Sequence, residues 1–229
     1  MKNKSTKVDW DKYWKSNDHQ PVVMHEELLQ QIIKHYSLTG GSIINKKVLE
    51  VGAGMGGDSI FLAKKGAEVT VLDFSPDALE LVKKNAEKNK VTLKLIEADA
   101  LHIPFKEETF DVIFHQGFLE HFKNPKDYLL EQKRILKTGG YLIVDVPQKF
   151  TTYTIKKHLA MKKGKWFAGW ETEYSPIGLE KIIKACGFKV IDMYGWGYYG
   201  QIKKIEGFIG KLPIKLWFNW CIGCVAQKI

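Results

Sequence analysis

The stretch that most constrains the fold is Lys47-Val48-Leu49-Glu50-Val51-Gly52-Ala53-Gly54-Met55-Gly56-Gly57-Asp58. It reads as a short buried strand with one charge near its carboxyl end, a glycine-rich turn, and the start of a helix. Glycines at 52, 54, 56 and 57 let the backbone turn sharply and approach a ligand with no Cβ in the way. The helix over 59–65 stops at Gly66, a natural left-handed cap. A turn of this kind holds a nucleotide-like cofactor.

Downstream, strands and helices alternate. Strands are expected at 68–73, 91–96, 110–115, 141–146 and 188–194, with a last one at 224–229. Helices are expected at 76–89, capped by Ser75, at 125–137, and from 175 to 186. This alternation indicates an α/β fold, doubly wound around a mostly parallel sheet. With 229 residues, no internal repeat and no Pro/Ser-rich linker, the chain reads as one domain, 1–229.

Two regions depart from the alternation. Residues 8–36 carry Trp10, Tyr13 and Trp14 at helical spacing, then a second helix with Leu28, Leu29, Ile32 and Ile33 on one face. They form either an N-terminal helical lid or a helix packed on the domain. Residues 148–174 scatter Tyr153, His158, Trp166, Phe167 and Trp170 among lysines, as an inserted cap would.

Composition narrows the class. The net charge of +9 invites acidic partners, yet Arg134 is the only arginine and the lysines are dispersed. That distribution argues for a solvated lysine-rich surface and against nucleic-acid reading. No run of about 18 apolar residues is present, and no apolar stretch follows the basic first residues, so a cytoplasmic protein is expected. The 208–218 segment mixes lysines with bulky apolar residues and reads as a buried aromatic segment, or else as a peripheral membrane contact. Nothing specifies an oligomeric state. Cys221 and Cys224 sit in an apolar strand-like run with no ligand partner at metal spacing, so they read as small buried hydrophobes and no metal is expected.

The acids identify the ligand class. Glu50, Asp73 and Asp99, with His115 and Gln116, fall at or just past strand carboxyl ends, where α/β sheets bind ligands. Asp73 lies about twenty residues beyond the glycine turn, where an acid accepts both hydroxyls of a ribose. Asp99 is placed to accept from an adenine amine. The turn also satisfies G-x-G-x-x-G, so a nicotinamide-dependent oxidoreductase is an alternative. Glu50 opposes it, because a carboxylate beside the turn repels a pyrophosphate and suits a positive amine or sulfonium.

These motifs together resemble the class I S-adenosylmethionine-dependent methyltransferases, and the small-molecule, quinone-biosynthesis-like (type 11) branch in particular. Val48-Leu49-Glu50-Val51-Gly52-x-Gly54-x-Gly56 resembles the family's first motif, and Val71-Leu72-Asp73-Phe74-Ser75-Pro76 its ribose-binding acid. Ala98-Asp99-Ala100-Leu101-His102-Ile103-Pro104-Phe105 resembles the adenine motif. Phe110-Asp111-Val112-Ile113 and Leu136-Lys137-x-Gly139-Gly140-x-Leu142 resemble the fourth strand and the turn into the fifth.

The resemblance implies a seven-stranded Rossmann-like sheet whose last strand is antiparallel. It implies S-adenosylmethionine as cofactor and S-adenosylhomocysteine as product. Gly52, Ala53, Gly54 and Gly56 would line the methionine portion, Asp73 and Phe74 the ribose, Asp99 and Ala100 the adenine, and Gln116 the region beside the amino acid. Methyl transfer to an O, N or C atom of a small molecule would follow, by in-line displacement. His121 is the candidate base where the acceptor must lose a proton, with His115 second; His121 as a packing residue stays open. Glu120 reads as structural. Tyr13, Tyr153, Trp166 and Trp170, with Trp196, Tyr198 and Tyr199, are candidates for an aromatic acceptor pocket, suited to a quinone-like body or a cationic amine. A non-catalytic protein that keeps the fold is the third reading.

Overall fold

A computed structural model of the protein describes residues 6–16, 22–38, 42–149, 151–166, 168, 171–198 and 219–229. Helices α1 (Lys7–Ser16) and α2 (Glu26–Leu38) precede the sheet. The strands are β1 (Lys47–Val51), β2 (Glu68–Asp73), β3 (Lys94–Glu97), β4 (Phe110–Gln116), β5 (Leu136–Pro147), β6 (Phe188–Tyr198) and β7 (Asn219–Lys228). Between them lie α3 (Gly57–Lys64), α4 (Pro76–Lys88), α5 (Pro125–Ile135), α6 (Thr152–Lys162) and α7 (Pro176–Ala185).

The sheet order is β3-β2-β1-β4-β5-β7-β6. The first five strands in that order pair in parallel, and β7 runs antiparallel between β5 and β6. Chain order reverses between β1 and β4, so a crevice opens at their carboxyl ends.

Side-chain alternation divides the core between the two faces of the sheet. Val48, Val112, Phe114, Ile143 and Val225 pack with Leu28, Leu29 and Ile32 of α2, Leu62 of α3 and Val82 of α4. Leu49, Ile113, Leu142, Val144 and Cys224 pack on the other face with Leu129 of α5 and Leu179 and Ile183 of α7. Both faces are covered, which is why the central strands read as continuous apolar runs.

Three caps match the sequence reading. Ser75 accepts from the Ala78 amide at 3.2 Å and Ser175 from the Gly178 amide at 3.1 Å, each followed by a proline in the first turn. Gly66 takes φ +90° just after α3.

Several boundaries differ from expectation. β3 starts at Lys94, not at 91, because Val91 already closes the turn after α4 through its amide to Ala86. β5 begins at Leu136: the partner of Phe110 is Leu136 and that of Val112 is Tyr141, so the 138–140 turn is a bulge within the strand. β7 begins at Asn219 and β6 runs on to Tyr198, because each supplies the other's hydrogen bonds beyond the end of β5. The 148–174 insertion contains α6 and is closed at its base by a bridge between Gln148 and Tyr174. Cys221 and Cys224 lie in β7 as free thiols, as expected, and burial raises both thiol pKa values. The 208–218 segment lies outside the described residues.

One polar knot ties β5 to β6. Asp145, fully buried, accepts from the Tyr194 hydroxyl and, at 2.7 Å, from the Trp196 indole. Burial raises its carboxyl pKa to about 7 against the pull of those two donors. Gly223 of β7 makes the knot possible, since a Cβ there would lie 2.1 Å from Tyr194 Cζ and 2.3 Å from Asp145 Oδ1. Gly223→Ala is therefore expected to lower the unfolding free energy by about 1–3 kcal/mol, as overpacking does. Urea denaturation checks this; an unchanged midpoint would show that the knot yields without cost.

Candidate active site

The crevice widens into a cavity of about 1390 Å³. It is bounded by the glycine loop, the ends of β2 to β4, helix α1, the 148–174 insertion and the start of β7. Glu50, Gly52, Ala53, Gly54, Gly56, Asp73, Phe74, Asp99, Ala100 and Gln116 all line it. So do Tyr13, Tyr153 and Trp166. Trp170 and Tyr199, and the side chain of Tyr198, fall outside the described residues.

The loop is shaped for close approach. Gly52, Gly54 and Gly56 adopt φ of +75°, +49° and +74°, a region that L side chains rarely enter. A Cβ on Gly52 would meet the Phe118 ring at 2.9 Å. Gly57 is needed for a different reason: a Cβ there would sit 2.0 Å from the Val23 carbonyl oxygen. The chain before α2 thus lies directly across the turn.

Buried acids surround this loop. Glu50 is 5% exposed and accepts from the Ser59 hydroxyl, and burial together with the nearby Asp58 pushes its pKa well up. Asp73 is equally buried; its Oδ2 accepts from the Ala53 amide at 3.1 Å and its Oδ1 from the Ser75 amide at 2.9 Å. Burial raises its pKa to about 6, with those amides pulling down and Asp11 pushing up. With the Phe74 amide as a third donor, the carboxylate still has acceptor capacity left for a ligand hydroxyl. Asp99 is exposed, its Oδ1 held by the Leu101 amide at 2.9 Å.

Helix α1 closes over the crevice. Lys7 pairs with Glu97 at 2.6 Å, and Asp11 accepts from the Ser75 hydroxyl. Trp10, Tyr13 and Trp14 then face the cavity, and Trp14 would be 3.4 Å from a Cβ on Gly54. Val23 and His25 reach it as well. His25 is bound to Asp58 twice, through its amide at 2.7 Å and its Nδ1 at 2.6 Å. Burial opposes charge on His25, but the bond and charge of Asp58 outweigh it, so its pKa is raised.

The two candidate histidines separate. His121, in a short 3₁₀ turn (Leu119–His121), lines the cavity with its ring 5.0 Å from that of Trp10. His115 does not. Strand alternation points it to the Ile113 face, where it is fully buried beside Phe118 and Gln132, and burial lowers its pKa to about 3. It has no route to a ligand and is withdrawn as a base. His158 is 55% exposed and pairs with Glu173 at 2.5 Å, in keeping with a solvent-facing position.

Sequence reasoning missed three features. Asp58 reads as an ordinary acid in a first helical turn, and nothing marks His25 as its partner. The Asp145 knot links residues about fifty apart. Glu120 reads as structural, yet it lines the cavity at 3% exposure with burial raising its pKa to about 8. Among the described residues no cluster of three or more metal-ligating side chains exists, and no helix is long and apolar enough to cross a membrane.

A cavity-lining acid with a pKa near 6 gives a pH signature to the binding of any ligand whose hydroxyls it accepts. Affinity for S-adenosylhomocysteine is expected to be flat above pH about 7 and to fall as Asp73 gains a proton below about 6. Asp73→Asn should weaken binding on the order of 10- to 100-fold at high pH and remove that step. Calorimetric titration across pH checks both; an unaltered profile in Asp73→Asn would rule out Asp73 as the contact.

Residues 49–144 match the family model described as a methyltransferase domain. The demethylmenaquinone methyltransferase of Tropheryma whipplei (strain Twist) is 33% identical over 105 residues, covering 45% of this chain and 43% of that protein. The chain thus spans less than half the length of that curated relative. The ubiquinone biosynthesis O-methyltransferase of Haemophilus ducreyi is 27% identical over 190 residues, 80% of this chain and 77% of that one. Among solved structures, magnesium protoporphyrin IX methyltransferase from Synechocystis PCC 6803, with bound SAH, is similar at a TM-score of 0.69. At 15% identity over 97% of this chain and 99% of the other, that likeness establishes the fold. The matched segment holds the glycine loop and the expected strand-end acids Glu50, Asp73 and Asp99, so the similarity to methyltransferases falls on the residues around the crevice.

Proposed function

We propose that the chain binds S-adenosylmethionine and transfers its methyl group to a small-molecule acceptor. The observation that carries this reading is the ring of buried carboxylates, Glu50, Asp58 and Asp73, around a glycine loop open to a large cavity. A pyrophosphate placed there would meet like charge in a low-dielectric setting, whereas an adenosine with a cationic amino acid meets complementary charge. Beyond the glycine fingerprint, nothing observed favours a nicotinamide dinucleotide.

The residues fit the proposed cofactor at each part. Asp73 would hold the ribose hydroxyls, Asp99 with Ala100 the adenine, and Gly52, Gly54 and Gly56 the methionine chain, with Glu50 and Asp58 as counter-charge to its amine and sulfonium. Such a cofactor supplies an electrophilic methyl group on sulfur. The protein's share is alignment and exclusion of water, since holding reactants in line provides much of the rate. Trp10, Tyr13 and Trp14 shield the crevice from the solvent side. His121 is the group in reach to take a proton from an acceptor.

The acceptor space is walled by Tyr153, Trp166, Trp196 and Trp220, which suits an apolar, ring-bearing molecule. The curated relatives named above are quinone-biosynthesis methyltransferases, and a small aromatic acceptor agrees with that wall. A cytoplasmic location and a single domain over 1–229 go with this reading.

The test is transfer of labelled methyl from S-adenosylmethionine into a metabolite extract, followed by identification of the product. A labelled small molecule supports the proposal; cofactor binding without any labelled product favours a non-catalytic protein. His121→Ala is expected to lower turnover on the order of 10²- to 10⁴-fold while cofactor affinity is kept. Equal loss of both would reject His121 as the base.

A further inference from the structure

One part of the cavity holds buried acids that the cofactor reading does not use. Glu120, Tyr153, Trp166 and Glu171 line it together. Glu120 Oε2 is buried with no hydrogen-bond partner among the described residues, although the side chain borders the cavity. The Glu171 side chain is 4% exposed, and its Oε2 lies 3.3 Å from the Lys157 ammonium. Lys157 is also buried, and it stands 3.2 Å from Glu173, which His158 reaches from the solvent side.

The charges do not cancel. Lys157 is shared between Glu171 and Glu173 and does not itself line the cavity, so its charge reaches Glu120 only from a distance, and Glu120 forms no ion pair among the described residues. Removing a carboxylate from water without a partner costs several kcal/mol. Glu120 avoids that cost by keeping its proton, as burial and the Glu171 charge both favour. A group that supplied positive charge would remove the need. The walls beside it suit such a group: the Tyr153 and Trp166 rings stand edge to face, 6.1 Å apart, the Lys157 ammonium already lies 6.0 Å from the Tyr153 ring centre, and aromatic faces attract cations.

We infer that this is the acceptor subsite and that it recognises a protonated amine on an apolar, ring-bearing body, with Glu120 as the counter-charge and Tyr153 and Trp166 as the walls. The inference rests on the methyltransferase reading for the word acceptor, and on the cavity alone for the cation. An ammonium is not a nucleophile, so the charged nitrogen is a recognition group.

The test compares 2-phenylethylamine with its neutral counterpart 2-phenylethanol, titrated calorimetrically into the chain with S-adenosylhomocysteine present. The amine is expected to bind saturably and at least about tenfold more tightly than the alcohol. Glu120→Gln should remove about tenfold of the amine's affinity, leave the alcohol unchanged, and keep S-adenosylhomocysteine binding. Equal affinities, no saturable binding of the amine, or full amine affinity in a folded Glu120→Gln chain would each overturn the inference. Should that variant not fold, the amine-to-alcohol ratio of the unsubstituted chain decides. An amine preference without any S-adenosylhomocysteine binding would uphold the cation site and sink the methyltransferase reading, so the two fail separately.

Discussion

Everything in this structure turns on carboxylates held out of water around a loop with almost no side chains. Glu50 lies near the carboxyl end of β1 and Asp73 ends β2, both on one side of the switch point, and Asp58 lies in the first turn of the helix that follows the loop. Each is buried to 6% exposure or less. Isolated, such groups would be costly, and the chain offsets the cost locally: Ser59 for Glu50, the Ala53 and Ser75 amides for Asp73, and His25 for Asp58. The offset is partial, since burial still raises the pKa of Glu50 and Asp73. That residue of unmet charge is what a cationic adenosine ligand would satisfy.

The segments before the sheet depend on the same acids. His25 is anchored by Asp58, and Asp11 by the cap hydroxyl of Ser75, itself held two residues on from Asp73. The cover over the crevice is therefore fastened to the buried acids as well as to the scaffold, on which α2 packs Leu28, Leu29 and Ile32. Glycine at 57 is a packing requirement of this arrangement, because it lets the Val23 carbonyl lie against the loop. Glycine loop and cover are one construction.

How much of this was legible in the sequence follows from the range of each interaction. Glycine positions, strand-end acids and Ser-Pro caps are local, and each was readable because backbone geometry within a few residues dictates the residue type. Strand ends were less legible. β6 and β7 extend past expectation because each supplies the other's hydrogen bonds, a fact that exists only once they pair. His115 shows the limit most clearly. It lies at the end of β4 beside Gln116, but the period of two sends one to the crevice and the other into the α5 face. The pairs His25–Asp58, Tyr194–Asp145 and Lys157–Glu171 join residues 33, 49 and 14 positions apart, and no pattern along the chain announces them.

The central claim is that the buried acids select a cationic adenosine ligand over a dinucleotide that would fit the same glycine fingerprint. Calorimetric titration of the chain with S-adenosylmethionine and, separately, with NAD tests it most directly. The account predicts saturable heat with S-adenosylmethionine and none with NAD. Tight binding of NAD with no heat from S-adenosylmethionine would contradict it.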